Sequence, residues 1–156
     1  MKWTRDSVTG RGKVHLISRF KKKFNLVDES YNANPSSTKK AISNFSKINN
    51  KNYKKYFLFG DMLELGKKSG IYHKKLSKDI NQSSIDKLFI YGKNTFKTYQ
   101  ETNKEKRGNI LQNLSDFDEV FSQILNNNDY LMIKGSNATG LNKLTNSLIR
   151  GDRNAL

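Results

Sequence analysis

Short apolar runs rich in aromatic and β-branched residues recur along this chain, and between them lie stretches whose apolar residues repeat at helical spacing. This alternation narrows the possible folds sharply. Strands separated by helices pair in parallel through right-handed crossovers and leave helices on both faces of the sheet. Phe24 to Val27 reads as a strand; Pro35 then stands where a helix can start, and Ala41, Ile42, Phe45 and Ile48 fall on one helical face. Tyr56 to Phe59 forms the next strand, followed by a helix from about Ser69 to Ile80 with Ile71, Leu76 and Ile80 turned inward. Leu88 to Tyr91 makes a third strand, Gly92 breaks it, and a short helix runs through Phe96 to Tyr99. Asn109 to Leu111 is a fourth strand, with a helix marked by Phe117, Val120, Phe121 and Leu125 after it. Tyr130 to Ile133 is a fifth, and a last helix runs from about Ala138 through Leu141, Leu144 and Leu148. An earlier run, Val14 to Ile17, is placed as an extra edge strand. The expected architecture is a three-layer, Rossmann-like α/β fold with a mainly parallel sheet of five or six strands.

In such a sheet the loops leaving the carboxyl ends of the strands gather along one edge, where α/β proteins bind their ligands. Those loops are Asp28 to Asn34, Gly60 to Gly66, Gly92 to Thr95 and Lys134 to Gly140, and each carries glycine or short hydrogen-bonding side chains. The opposite turns, Asn49 to Asn52 and Asn126 to Asp129, read as plain solvated connections.

Composition narrows the partners. At 156 residues the chain fits one domain with one core, and there is no internal repeat. The absence of cysteine excludes disulfides, thiolate metal sites and a thiol nucleophile, and two histidines argue against zinc. No run approaches the roughly 20 apolar residues needed to span a bilayer, and the opening MKWTRDSVTG lacks a signal-peptide core. The expectation is a cytoplasmic chain without membrane insertion. A formal net charge of +15 raises the question of nucleic acid. Only six of the 29 basic residues are Arg, and the lysines are spread from Lys2 to Lys143, so a solvated Lys-rich surface is expected and no nucleic-acid partner. A free-standing basic module binding RNA or another polyanion stays as the alternative, although its tightest cluster, Lys21 to Lys23, is short.

The phosphate-cradling pattern G-x-x-x-x-G-K-[ST] is missing. Gly60 to Lys68 has five residues between its glycines and Lys68 where Ser or Thr belongs; Gly135 to Asn142 has the glycine spacing but Leu141 in place of lysine. The run DESYNANPSS, Asp28 to Ser37, offers carboxylates at Asp28 and Glu29 and amides at Asn32 and Asn34, and reads equally as a capped turn with Asn34 as N-cap and Pro35 at the first helical position. In GDMLELG, Gly60 to Gly66, the carboxylates Asp61 and Glu64 are either ligand contacts or an acidic turn. His73, followed by Lys74 and Lys75, reads by itself as a surface helix residue. Lys134, ahead of Gly135 and Ser136, either offers its ammonium to an anion or sits in water at a strand end.

Taken together, Gly10-Arg11-Gly12, DESYNANPSS, GDMLELG with His73 downstream, DKLFIYGKN and LMIKGS resemble, in order and over nearly the whole chain, the C-terminal domain of the Mur ligases. The branch they resemble adds D-alanyl-D-alanine to UDP-N-acetylmuramoyl tripeptide in peptidoglycan synthesis. The resemblance implies residues 1–12 as a linker and 13–156 as the C-terminal domain of a three-domain enzyme. It also implies an N-terminal domain for the UDP sugar and a central domain supplying the P-loop, the Mg²⁺ sites and a carbamylated lysine. Neither matches this chain, which would therefore be a fragment or split product, inactive alone, with ATP and Mg²⁺ held mainly by the central domain. The residue roles implied are ATP contacts from Arg11, from Glu29 or, with a shift of one residue, Asp28, and from Asn32 and Asn34. Substrate-side contacts would come from Asp61, Glu64, His73, Lys134 and Ser136, with no metal ligand and no covalent catalyst among them.

Overall fold

A computed structural model describes residues 12–49 and 51–151. Among these described residues the six strands are β1 Lys13–Arg19, β2 Lys22–Glu29, β3 Lys55–Gly60, β4 Lys87–Tyr91, β5 Arg107–Leu111 and β6 Tyr130–Lys134. The helices are α1 Pro35–Ser46, α2 Ser69–Asn81, α3 Thr95–Glu101, α4 Phe117–Phe121 and α5 Leu141–Arg150. They build one sheet in the order β1-β2-β6-β3-β4-β5, parallel throughout except for β1, which pairs antiparallel with β2 at the edge. The α/β sheet expected from the alternation is thus present with six strands.

Strand alternation divides the core into two layers. Tyr56 and Leu58 join Phe89, Leu131 and Ile133 under α4 and α5, where Phe117, Phe121, Leu141, Leu144 and Leu148 pack. Phe57 and Phe59 point the other way with Val27, Ile90 and Met132, against Ala41, Ile42 and Phe45 of α1 and Leu76 and Ile80 of α2. All six residues of β3 are buried, as a strand covered on both faces by helices requires.

Several details depart from expectation. Asp129, in a turn expected to be solvated, is 3% exposed and accepts the Lys54 N–H at 2.9 Å and the Asn126 N–H at 2.8 Å. Ile71 is 56% exposed, not inward. The buried stripe of α2 is His73, Leu76, Ser77 and Ile80, at i, i+3, i+4 and i+7, and on a 100° repeat Ile71 lies off that stripe. Helix α4 ends at Phe121, so Leu125 is buried from the turn beyond it. Helix α5 begins at Leu141 because Gly140, at φ +87°, separates it from a short 3-10 turn at Asn137–Thr139; the expected start near Ala138 falls in that turn.

Candidate functional site at the carboxyl edge

Helix α5 leaves β6 toward one face of the sheet, whereas α1 and α2 leave the flanking strands β2 and β3 toward the other. Chains diverging to opposite faces from adjacent parallel strands open a crevice at their carboxyl ends. Strand register sets what stands there: Glu29 is paired with Lys134, and Lys134 with Phe59, one residue before Gly60.

Lys134 is buried, and its Nζ donates to the Asn32 carbonyl at 2.8 Å, with Glu29 Oε1 3.8 Å away. Burial pulls the ammonium below the usual lysine range, opposed by the negative charges of Glu29 and Asp28. The strand-end lysine therefore clamps the 28–34 loop instead of standing in water. Ser136 ties three segments together. Its amide donates to the Asp61 carbonyl at 3.1 Å, its hydroxyl accepts the Leu63 N–H at 2.8 Å, and the same hydroxyl donates to the Ala33 carbonyl at 3.3 Å.

Of the acidic pair, Asp28 is 1% exposed. Its Oδ1 accepts from the Ser30 amide at 3.0 Å and hydroxyl at 2.6 Å, and Ser30 Oγ lies 2.9 Å from Thr145 Oγ1 on α5. The other oxygen, Oδ2, is buried without a hydrogen-bond partner among the described residues. Glu29 keeps more contact with solvent, beside Lys134. Asn32 and Asn34 are exposed. Asn32 Oδ1 accepts the Ala33 N–H at 2.8 Å, while Asn34 caps α1 by accepting the Ser37 N–H at 2.8 Å in a reciprocal capping box. The capped-turn reading of DESYNANPSS holds for Asn34, and the same turn faces the crevice.

In the second patch, Asp61 is buried and its carboxylate accepts the backbone N–H of Asn94 at 3.1 Å and of Thr95 at 2.9 Å. It thus caps the first turn of α3, bringing Gly92 to Thr95 onto the same edge. Glu64 is exposed at the loop tip with φ +63°. His73 is 0% exposed, so the surface-helix reading is corrected: its Nε2 accepts the Met62 N–H at 3.0 Å and its Nδ1 faces the Ser69 carbonyl at 2.7 Å. Burial pushes the imidazole below its ordinary range, against the Ser69 carbonyl and the Asp61 charge. Arg11 lies outside the described residues.

The structure thus gathers Asp28, Glu29, Asn32, Asn34, Asp61, Glu64, Lys134 and Ser136 on three linked segments, to which Asp61 ties the 92–95 loop, with His73 beneath them. Sequence reasoning missed Ser30, Thr145 and Thr95. Ser30 stands inside DESYNANPSS and was open to reading as an Asp28 partner, but Thr145 and Thr95 are reached only across the fold. Among the described residues no group of three or more His, Cys, Asp or Glu side chains gathers as a protein-only metal cage would need. No helix among them is long and apolar enough to cross a membrane.

Residues 14–137 match the family model described as Mur ligase, glutamate ligase domain. The chain belongs to this Mur ligase C-terminal domain family. It is 31% identical over 126 residues to the UDP-N-acetylmuramoyl-tripeptide–D-alanyl-D-alanine ligase of Buchnera aphidicola from Acyrthosiphon pisum, covering 80% of this chain and 27% of that protein. The Bacillus subtilis ligase of the same name is 38% identical over 68 residues, covering 44% of this chain and 15% of that one. In three dimensions this Mur domain is similar to the MurF ligase of Thermotoga maritima in complex with ADP. The TM-score is 0.74 at 19% identity, covering 96% of this chain and 32% of that chain. MurF from Acinetobacter baumannii gives 0.74 at 21%, over 93% of this chain and 31% of that chain. At those identities the structural likeness establishes the fold. The Mur domain spans about a third or less of the length of these relatives. The family assignment lends no support to the alternative of a free-standing RNA- or polyanion-binding module.

Proposed function

We propose that this Mur domain is the closing part of an ATP-dependent ligase that adds D-alanyl-D-alanine to UDP-N-acetylmuramoyl tripeptide in the cytoplasm, its partners being the central and N-terminal ligase domains. The names of the relatives support this reading. The observation that carries it is the bonded convergence of the 28–34, 60–66, 92–95 and 134–136 segments on one edge, because half a cleft needs a rim held in place before the other half arrives.

In this reaction ATP gives its γ-phosphoryl group to the peptide carboxylate and leaves as ADP. The amino group of the dipeptide then attacks the acyl phosphate, forming the amide and releasing phosphate. Chemistry of this kind is driven by positioning and charge, and no residue of this chain needs to form a covalent bond. Glu29 is proposed to face the ribose hydroxyls, its greater exposure favouring it over buried Asp28, whose free Oδ2 would serve only after the loop shifts. Asn32 and Asn34 would border the nucleotide, and Arg11 would reach it from the preceding segment. Glu64 would face the dipeptide side, while Asp61, His73, Lys134 and Ser136 would act through the loops they hold. Bound Mg²⁺ would offset phosphate charge from the central domain.

Reconstitution tests the proposal. Adding this chain to a fragment carrying the N-terminal and central domains should restore phosphate release that depends on D-alanyl-D-alanine, with neither piece active alone. A rate no higher than that of the fragment alone would count against it.

A further inference from the structure

We infer that His73 is the positioning residue of the Gly60–Gly66 loop, acting as a neutral imidazole that accepts the Met62 N–H at Nε2 while its Nδ1–H donates to the Ser69 carbonyl. The geometry admits one tautomer. An amide N–H 3.0 Å from Nε2 can only be met by a bare nitrogen, and a carbonyl 2.7 Å from Nδ1 requires the proton there. The ring is closed off from solvent, with Phe59 of β3 at 5.9 Å between ring centroids. From α3, Thr98 Oγ1 donates to the His73 carbonyl at 2.6 Å and fixes the backbone that carries the ring. Asp61, in the loop itself, is the charged group that acts on the imidazole.

Met62 is the centre of what this bond holds. Its side chain is fully buried and accepts from Thr38 of α1 at Sδ, 3.6 Å away. The residue before it, Asp61, caps α3 and accepts the Ser136 amide, and the residue after it, Leu63, donates to the Ser136 hydroxyl. Fixing the Met62 backbone therefore sets two neighbours that reach two other segments of the rim. The loop needs such an external hold, because Glu64 and Gly66 both have left-handed φ values that local preference does not favour for glutamate. Protonating His73 would set one N–H against another, so the imidazolium and the Met62 bond exclude each other. The ring's folded-state value lies below its unfolded one, so the folded chain binds fewer protons in the window between them. Stability is then full above about pH 6.5 and falls as pH is lowered through the folded value.

The inference depends on the proposed function only in treating the loop as a wall of the cleft. The measurements below read the bond, not the ligase, so either can fail while the other stands. In the wild-type chain, NMR of the ring nitrogens at pH 7.5 should show the neutral Nδ1–H tautomer, and the Met62 amide should lose exchange protection in step with ring protonation. In His73→Leu, protection at Met62, Leu63, Asn94 and Thr95 should fall by about tenfold, beyond any change in β1 and β5, and should no longer vary with protonation in this window. An Nε2–H tautomer, a ring that titrates while the Met62 amide is unmoved, or a His73→Leu loss spread evenly over all strands would overturn the inference. If His73→Leu does not fold, the wild-type tautomer and titration decide the matter alone.

Discussion

Replacing Gly92 by valine is expected to lower the unfolding free energy by about 3–5 kcal/mol, the sum of backbone strain and a lost helix cap. Gly92 has φ +123°, a region that β-branched residues avoid. A Cβ there would run into the Asp61 carboxylate, the group that accepts the Asn94 and Thr95 amides. Displacing it would leave both donors unmet at the start of α3 and pull the 92–95 segment off the rim. Urea unfolding of the variant measures the effect, and a melting point lower by roughly 10 °C should accompany it. A loss below about 1 kcal/mol would show that the carboxylate moves aside without cost and does not anchor the segment.

Phe59→Ala is expected to cost about 3–5 kcal/mol, as truncating a fully buried aromatic ring does. The ring stacks on Phe57 at 5.3 Å and borders His73 at 5.9 Å, so the cavity opens beside the imidazole. The matched control is Phe89→Ala, on the opposite face of the sheet, where the ring packs on Phe121 at 4.6 Å. Both should lower stability to a similar extent, but Phe59→Ala alone should speed exchange at Met62 beyond its effect on global unfolding. Equal behaviour at Met62 in the two variants would detach the His73 latch from its supporting layer.

Much of the fold was legible because its determinants are local. Runs such as Tyr56–Phe59 and Tyr130–Ile133 are apolar on both faces and flanked by turn residues, a pattern that suits little except a covered parallel strand. Ile71 misled because one isoleucine near a helix start satisfies a coarse apolar count without lying on the stripe fixed by Leu76 and Ile80. The candidate rim was legible as a set of loops, since glycine, asparagine and short polar residues cluster after each strand. How its side chains are used was not. Asp61 caps a helix that begins at Thr95, Lys134 holds a carbonyl at Asn32, and His73 faces Met62 across a turn with two left-handed residues. Contacts closed by the fold over such separations leave no periodicity or spacing to read.

The amide spectrum of the labelled chain, recorded before and after adding a fragment that carries the N-terminal and central domains of a Mur ligase together with ADP, tests the carboxyl rim most directly. The account predicts that the largest shifts fall in residues 28–37, 60–66, 92–95 and 134–140. Shifts concentrated instead around Lys21 to Lys23 and Asn127 to Asn128, at the amino edge, would contradict it.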